Sequence, residues 1–225
     1  MGYAEAFERQ TEHHAEVLSA REQNEPELGR ILTVEHDPVI TVSRRPSAAG
    51  HVLASEDALK KAGVTLSQTD RGGDVTYHGP GQLVVYPILD LKRLRLRLHE
   101  HMRLMEQAVI DTLSPLGLRP HRDPTATGVW VDRGDGMAAK VCAMGVRVRR
   151  WVSMHGLALN VRTNLAHFDL IVPCGLEGRP VTSLQALLGD AAPSLDETRA
   201  RLTSAILDRL AEHASEKGVV LGEAG

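Results

Sequence analysis

The chain has 225 residues, 42% of them hydrophobic and 24% charged, with a net charge of -3. That length is ample for one core and suits a single domain over residues 1–225, and the slightly acidic balance argues against a general nucleic-acid binder. Two cysteines, Cys142 and Cys174, make no disulfide framework and fit a reducing cytoplasm, while no apolar run reaches membrane-spanning length and neither C-x-x-C nor H-E-x-x-H spacing calls for a metal.

Residues 3 to about 22 read as a helix, with Tyr3, Phe7, His14, Val17 and Leu18 near one face. Asn24-Glu25-Pro26 breaks it. Ile31–Val34 and Val39–Val42 read as strands, followed by the cations Arg44 and Arg45. Ser55 caps a short helix that ends before Gly63. Val64–Gln68 reads as a strand that leads into Arg71-Gly72-Gly73-Asp74-Val75-Thr76-Tyr77-His78-Gly79-Pro80-Gly81-Gln82, taken as one rigid Gly-rich loop. It lacks the G-x-x-x-x-G-K-[ST] and G-x-G-x-x-G patterns, so its glycines alone call for no nucleotide. Leu83–Leu89 is an apolar run of buried-strand type.

Lys92–Arg97 is a basic run. Leu98–Leu113 reads as a helix with Leu98, Met102, Met105, Val109 and Leu113 in its core stripe. His99 and His101, two apart, do not share a face. Gly128–Val131 and Met137–Val148 read as strands around a turn at Arg133–Gly136, and a second turn at Arg149-Arg150 leads to a strand over Trp151–Val161. Val181–Leu188 reads as a short helix. Ser194-Leu195-Asp196-Glu197 opens a last one, with Leu195, Leu202, Ile206 and Leu210 as its buried face. Helices at both ends and strands between them predict an α+β or mixed α/β chain, and the absence of heptads makes a monomer the expectation.

Two residues stand out for chemistry. Cys174, between Pro173 and Gly175, is either an inert buried thiol or a nucleophile whose thiolate a nearby cation stabilises. Lys140, in the small apolar segment Met137–Val141, either points out from a strand edge or is partly buried with its ammonium destabilised. Paired with a thiol it would make an activated nucleophile. His78 and His155 are each a candidate base or a hydrogen-bonding wall, which leaves a Cys-His hydrolase open. Cys142, among apolar neighbours, reads as a small core residue.

The pattern R-G-G-x-x-T-[aromatic]-H-x-x-G-Q-x-x-x-Y over Arg71–Tyr86 resembles the signature of the lipoyl(octanoyl) transferases, in the biotin/lipoate protein ligase superfamily. Lys140–Arg147, Trp151–Asn160, Asp169–Leu176 and Val181–Leu184 resemble further segments of the same family, in order, from about residue 3 to residue 190. The resemblance implies a mixed α/β fold, a mixed β-sheet flanked by helices plus a smaller sheet. It implies transfer of octanoyl from octanoyl-acyl carrier protein, through a thioester on Cys174 tuned by Lys140, to a lysine of lipoyl domains of 2-oxoacid dehydrogenases or of glycine-cleavage H protein. No cofactor, metal, nucleic acid or membrane is implied. Substrate would be bound by Arg71, Gly72, Gly73, Asp74, Val75, Thr76, Tyr77 and His78, by Ala143, Met144 and Gly145, and by Gly156, Leu157 and Ala158, with support from His155. The basic runs at Arg44-Arg45, Lys92–Arg97 and Arg147–Arg150 would steer acidic protein partners. Ser43 stands where the family pattern has Gly. An ATP-dependent lipoate or octanoate ligase and an octanoyl amidotransferase acting between lipoyl proteins are the alternatives on the same fold.

Overall fold

The computed structural model describes residues 1–134, 136–173 and 178–220. Helix α1 (Tyr3–Glu22) comes first, then strands β1 (Gly29–Val34) and β2 (Val39–Ser43), helix α2 (Glu56–Ala62), and strands β3 (Thr65–Thr69), β4 (Val75–His78) and β5 (Gln82–Leu89). Helix α3 (Leu98–Leu113) follows, then strands β6 (Pro120–Arg122), β7 (Val129–Asp132), β8 (Ala138–Arg149) and β9 (Val152–Asn160), and helices α4 (Leu184–Leu188) and α5 (Leu195–Lys217).

The strands form two sheets. A six-stranded sheet has the order β1-β5-β9-β8-β7-β6 and is antiparallel throughout, and a three-stranded sheet has the order β3-β2-β4. In the smaller sheet β2 runs parallel to β3 and antiparallel to β4. The parallel pair needs a crossover, and the segment with α2 supplies it. Ser55 accepts the amide of Ala58 and Gly63 closes α2 at φ +66°, so that helix is capped as its sequence predicts.

Alternation along β5 explains how the large sheet is covered on both faces. Leu83 and Val85 belong to the main core with Met105, Val109 and Leu113 of α3 and Leu202, Ile206 and Leu210 of α5. Val84 and Tyr86 face the other way and pack with Ala6 of α1, Val34 and Ala158. A separate core under the small sheet joins Ile40, Leu59, Val75, Tyr77, Phe168 and Ile171.

Several expectations are corrected. Arg71–Gln82 is not one loop, because Val75–His78 is a fully buried strand within it. Residues 181–183 precede α4 rather than belong to it, since the Ser183 hydroxyl accepts the Ala186 amide as N-cap. Leu98 is 50% exposed, so the α3 stripe begins one turn later. The second turn falls at Arg150 and Trp151, both at positive φ (53° and 65°), as a tight two-residue hairpin demands. Strand β6 carries no apolar pattern that would have marked it.

Candidate active site

Between the two sheets lies a narrow, partly open apolar cavity. Its floor is the facing pairs Ala143–Ala158 and Gly145–Gly156 of β8 and β9, with Met144 and Leu157 beside them. Arg71, Gly73, Thr76 and His78 close it from the small-sheet side, and Tyr3, Val84, Tyr86 and His155 complete the wall. A second, smaller cavity shares Thr76, Ala143 and Ala158 with the first, and adds Gln82, Lys140, Asn160, Phe168 and Pro173.

Period-two alternation sorts the residues of β4. Thr76 and His78 face the cavity, whereas Val75 and Tyr77 point into the small-sheet core. Tyr77 there hydrogen-bonds His167 Nδ1 at 2.7 Å, and burial pushes its hydroxyl up to about 12. Asp74 does not line the cavity either, since its carboxylate meets His51 Nδ1 at 2.7 Å. Gly72 acts through its backbone: its amide donates to Val146 O at 3.0 Å and so ties the 70–73 segment across β8. Arg71 fastens the same segment from below, donating to Thr41 Oγ1 at 3.0 Å and to the carbonyls of Asp74 and Gly72 at 3.1 and 3.0 Å.

Lys140 reaches the cavity through a bulge. Val129 pairs with Cys142 while Trp130 pairs with Lys140, which leaves Val141 as an extra residue in β8. Lys140 and Ala143, three apart, would lie on opposite faces of a regular strand, and the extra residue puts both on the cavity side. Gly128 permits it: at φ +119° a Cβ there would stand 2.4 Å from Cys142 O. Lys140 is only 7% exposed, on an interior strand, with its ammonium 4.9 Å from the centre of the Trp130 ring. Of the two readings of Lys140 in the sequence, the buried one describes its place. Cys174 lies outside the described residues; Pro173, the last residue described before it, lines the cavity that holds Lys140.

The histidines on the wall are neutral, and their partners fix the tautomers. Gln82 spends its amide N–H groups on Tyr77 O and Asn160 Oδ1, so its oxygen accepts Nδ1–H of His78 at 2.7 Å. Burial, helped by His36 and Arg71, pushes His78 down to about 3. His155 Nε2–H donates to Asp70 Oδ1 at 2.8 Å, and burial with Arg71 and Arg147 pushes that ring down to about 3. The Asp70 carboxylate opposes this shift, but it is shared with Arg147, and burial prevails. His36 Nδ1–H donates to Met1 O at 3.2 Å while Tyr86 O–H donates to His36 Nε2 at 2.8 Å. The wall is therefore uncharged apart from the tethered Arg71, which suits an aliphatic guest.

Sequence reasoning missed Tyr3, Val84, Asp70 and Trp130 as parts of the site. The alternation of Val84 and Tyr86 with Leu83 and Val85 was a usable signal; the bond from Asp70 to His155, across 85 residues, was not. Cys142, fully buried in the main core with its thiol pushed up by burial, is the structural residue its neighbours predicted. Of the three basic runs, Arg147 is committed to Asp70. Among the described residues no three His, Cys, Asp or Glu groups are placed to hold a metal ion, and no helix is long and apolar enough to cross a membrane.

Comparison with known proteins gives this geometry a family. The model of the lipoyl protein ligase A/B catalytic domain matches residues 3–207. An octanoyltransferase of Christiangramia forsetii is 48% identical over 187 residues, covering 83% of this chain and 80% of the relative. One from Bacteroides thetaiotaomicron is 46% identical over 200 residues, covering 89% and 87%. Among solved structures, one from the Thermoplasma acidophilum lipoylation system, described as a bi-partite lipoate protein ligase and its E2 lipoyl domain, superposes with a TM-score of 0.66 at 20% identity, covering 90% of this chain and 79% of that one. A lipoate-protein ligase A bound with ATP gives 0.62 at 21% identity, covering 80% and 72%. At that identity the superpositions speak for the fold, and the closer relatives speak for the enzyme class: the chain belongs to the lipoyl protein ligase A/B catalytic-domain family, in its octanoyltransferase branch.

Proposed function

We propose that the protein moves an octanoyl group from octanoyl-acyl carrier protein to a lysine of an apo-lipoyl domain or of glycine-cleavage H protein, with Cys174 as acyl carrier and Lys140 as its proton partner. The observation that carries this is the meeting of three features: a buried Lys140, the Pro173 that leads into Cys174, and an apolar cavity sharing a wall with theirs. Octanoyltransferase is also the name of the relatives at 40–48% identity.

In the first step the Cys174 thiolate attacks the carrier thioester. A new S–C bond forms, the old one breaks, and the carrier thiol leaves with a proton that Lys140 gives up. In the second step the acceptor lysine, as free amine, attacks the Cys174 thioester. The amide forms, its proton passes to Lys140, and the thiolate returns. The thioester is already activated, so no ATP is consumed, and a cysteine divides one acyl transfer into two easier ones. The octanoyl tail extends over Ala143–Ala158 and Gly145–Gly156; seven carbons at about 0.8 kcal/mol each would contribute roughly 5 kcal/mol of gross binding. On this reading residues 1–225 act as one catalytic unit, as a monomer in the cytoplasm.

The test is intact-protein mass after incubation with octanoyl-acyl carrier protein and no ATP. The expected result is a hydroxylamine-sensitive gain of one octanoyl group, absent in Cys174→Ala. No adduct, with transfer that demands ATP, would place the protein with the ligases instead.

A further inference from the structure

Lys140 is held by more than its own strand. Its amide donates to Pro180 O and its carbonyl accepts from Thr182 N, both at 2.9 Å, so the chain that returns after Cys174 is bonded to β8 at Lys140 itself. On the other side of Cys174, Val172 N donates to His51 O at 2.8 Å. Only the seven residues 173–179 lie between these two anchors, and the last of them, Arg179, is tethered by its side chain. Its guanidinium stands 4.0 Å from the centre of the Trp130 ring, the ring that also carries the Lys140 ammonium. Asp123 takes the guanidinium in a close ion pair, and Thr125 Oγ1 accepts a second bond from it at 3.0 Å. Asp123 in turn accepts the Thr125 amide and hydroxyl at 2.7 and 2.6 Å. Trp130 is 1% exposed and donates Nε1–H to Ala126 O at 3.2 Å.

We infer that Arg179 is a positioning residue for Lys140, fixing the ammonium by sharing the Trp130 ring with it and by anchoring the Pro180 carbonyl that binds its backbone. Two cations near one indole repel each other, so the arrangement needs counter-charge, and Asp123 supplies it to Arg179. The fork of Arg179 matters, because it sits over the ring while bonding both Asp123 and Thr125, which the single ammonium of a lysine matches less well. The consequence for acyl transfer rests on the function proposed above; the placement of Lys140 does not.

The experiment compares wild type with Arg179→Gln, Arg179→Lys and Asp123→Asn. The first readout is the side-chain Cε–Hε NMR cross-peak of Lys140, assigned by its loss in Lys140→Arg and displaced in wild type by the indole ring current. All three variants are expected to move it toward the position of a solvated lysine. The second is acyl-enzyme formation: its rate constant is expected to fall on the order of 10- to 100-fold, as for a misplaced catalytic group, with the KM for the octanoyl carrier unchanged and the pH profile displaced. A purely structural arginine would lower the melting temperature and leave both cross-peak and pH profile alone. A cross-peak unmoved in well-folded Arg179→Gln and Asp123→Asn overturns the inference. Wild type that forms no acyl-enzyme would overturn the functional reading instead, and the cross-peak would still decide the placement.

Discussion

Gly72 and Gly145 meet backbone to backbone where the small sheet closes over the large one. A Cβ on Gly145 would stand 2.5 Å from Gly72 O, and the Gly72 amide is bonded to Val146 O next along β8. The segment that roofs the cavity thus rests on bare backbone. Gly145→Ala is expected to lift it. Overpacking of this kind costs about 1–3 kcal/mol, and the KM for the octanoyl donor should rise about tenfold while Cys174 remains alkylatable. Urea unfolding and steady-state kinetics check both; an unchanged KM would mean that the roof does not hold the tail.

The electrostatic side of the same roof is Asp70, which takes His155 Nε2–H on one oxygen and Arg147 on the other. Asp70→Asn keeps the shape and removes the charge. Arg147, with 35% of its side chain exposed, is partly rehydrated, so the loss is expected at about 1–2 kcal/mol rather than the value for a fully buried pair. The urea midpoint of Asp70→Asn at pH 7.5, in low and high salt, measures it.

Acid should unfold this protein through its histidines. Burial lowers His36 and His101 to about 4, and His78 and His155 to about 3, all below the unfolded value of 6.5. For a lowered histidine the unfolded chain binds the extra proton, so the stabilisation is complete above pH 6.5 and is lost as pH falls from 6.5 toward 3 to 4. Each ring contributes a slope of about 1.4 kcal/mol per pH unit inside that window. Urea midpoints at pH 7.5, 6.0 and 5.0 should fall steeply together; a flat profile would show that these rings are hydrated.

These effects divide along the line of what a sequence can display. Helix α3 was legible to the residue, because Met105, Val109 and Leu113 repeat at helical spacing, and the N-cap of α2 was legible because Ser55 and Gly63 act locally. The motif residues Thr76, His78, Ala143 and Gly156 do gather round one cavity. What stayed hidden depends on partners far along the chain. The bulge that turns Lys140 inward shows only in the pairing of β8 with Val129 and Trp130 of β7, and the contact of Arg179 with the Trp130 ring joins residues 49 apart with no shared pattern. Likewise Tyr77 looked like a binding residue beside Thr76 and His78, until the pleat of β4 sent it to the other core.

That pleat is itself testable. Tyr77→Phe removes only the hydroxyl bonded to His167 and should cost about 1 kcal/mol, with the KM for the octanoyl donor unchanged. Thr76→Leu, one residue away on the cavity face, fills space shared by the two cavities and should raise that KM while leaving the small-sheet core intact. Equal effects of the two variants on KM would mean that β4 does not divide the cavity from the core.

His101 offers the clearest gain in stability. It is fully buried on α3, and neither ring nitrogen has a hydrogen-bond partner among the described residues. Its polar atoms were desolvated with no return, and the main core around α3 is built from leucine, valine and methionine. Replacing it by leucine, of similar volume, should stabilise the fold by about 1–2 kcal/mol at pH 7.5. The gain should widen as pH falls below 6.5, because the proton that His101 takes up on acid unfolding is then removed. Thermal and urea unfolding of His101→Leu at pH 7.5 and 5.5 measure both parts. A variant less stable than wild type at both pH values would mean that the imidazole is satisfied in solution, by water or by a moved neighbour.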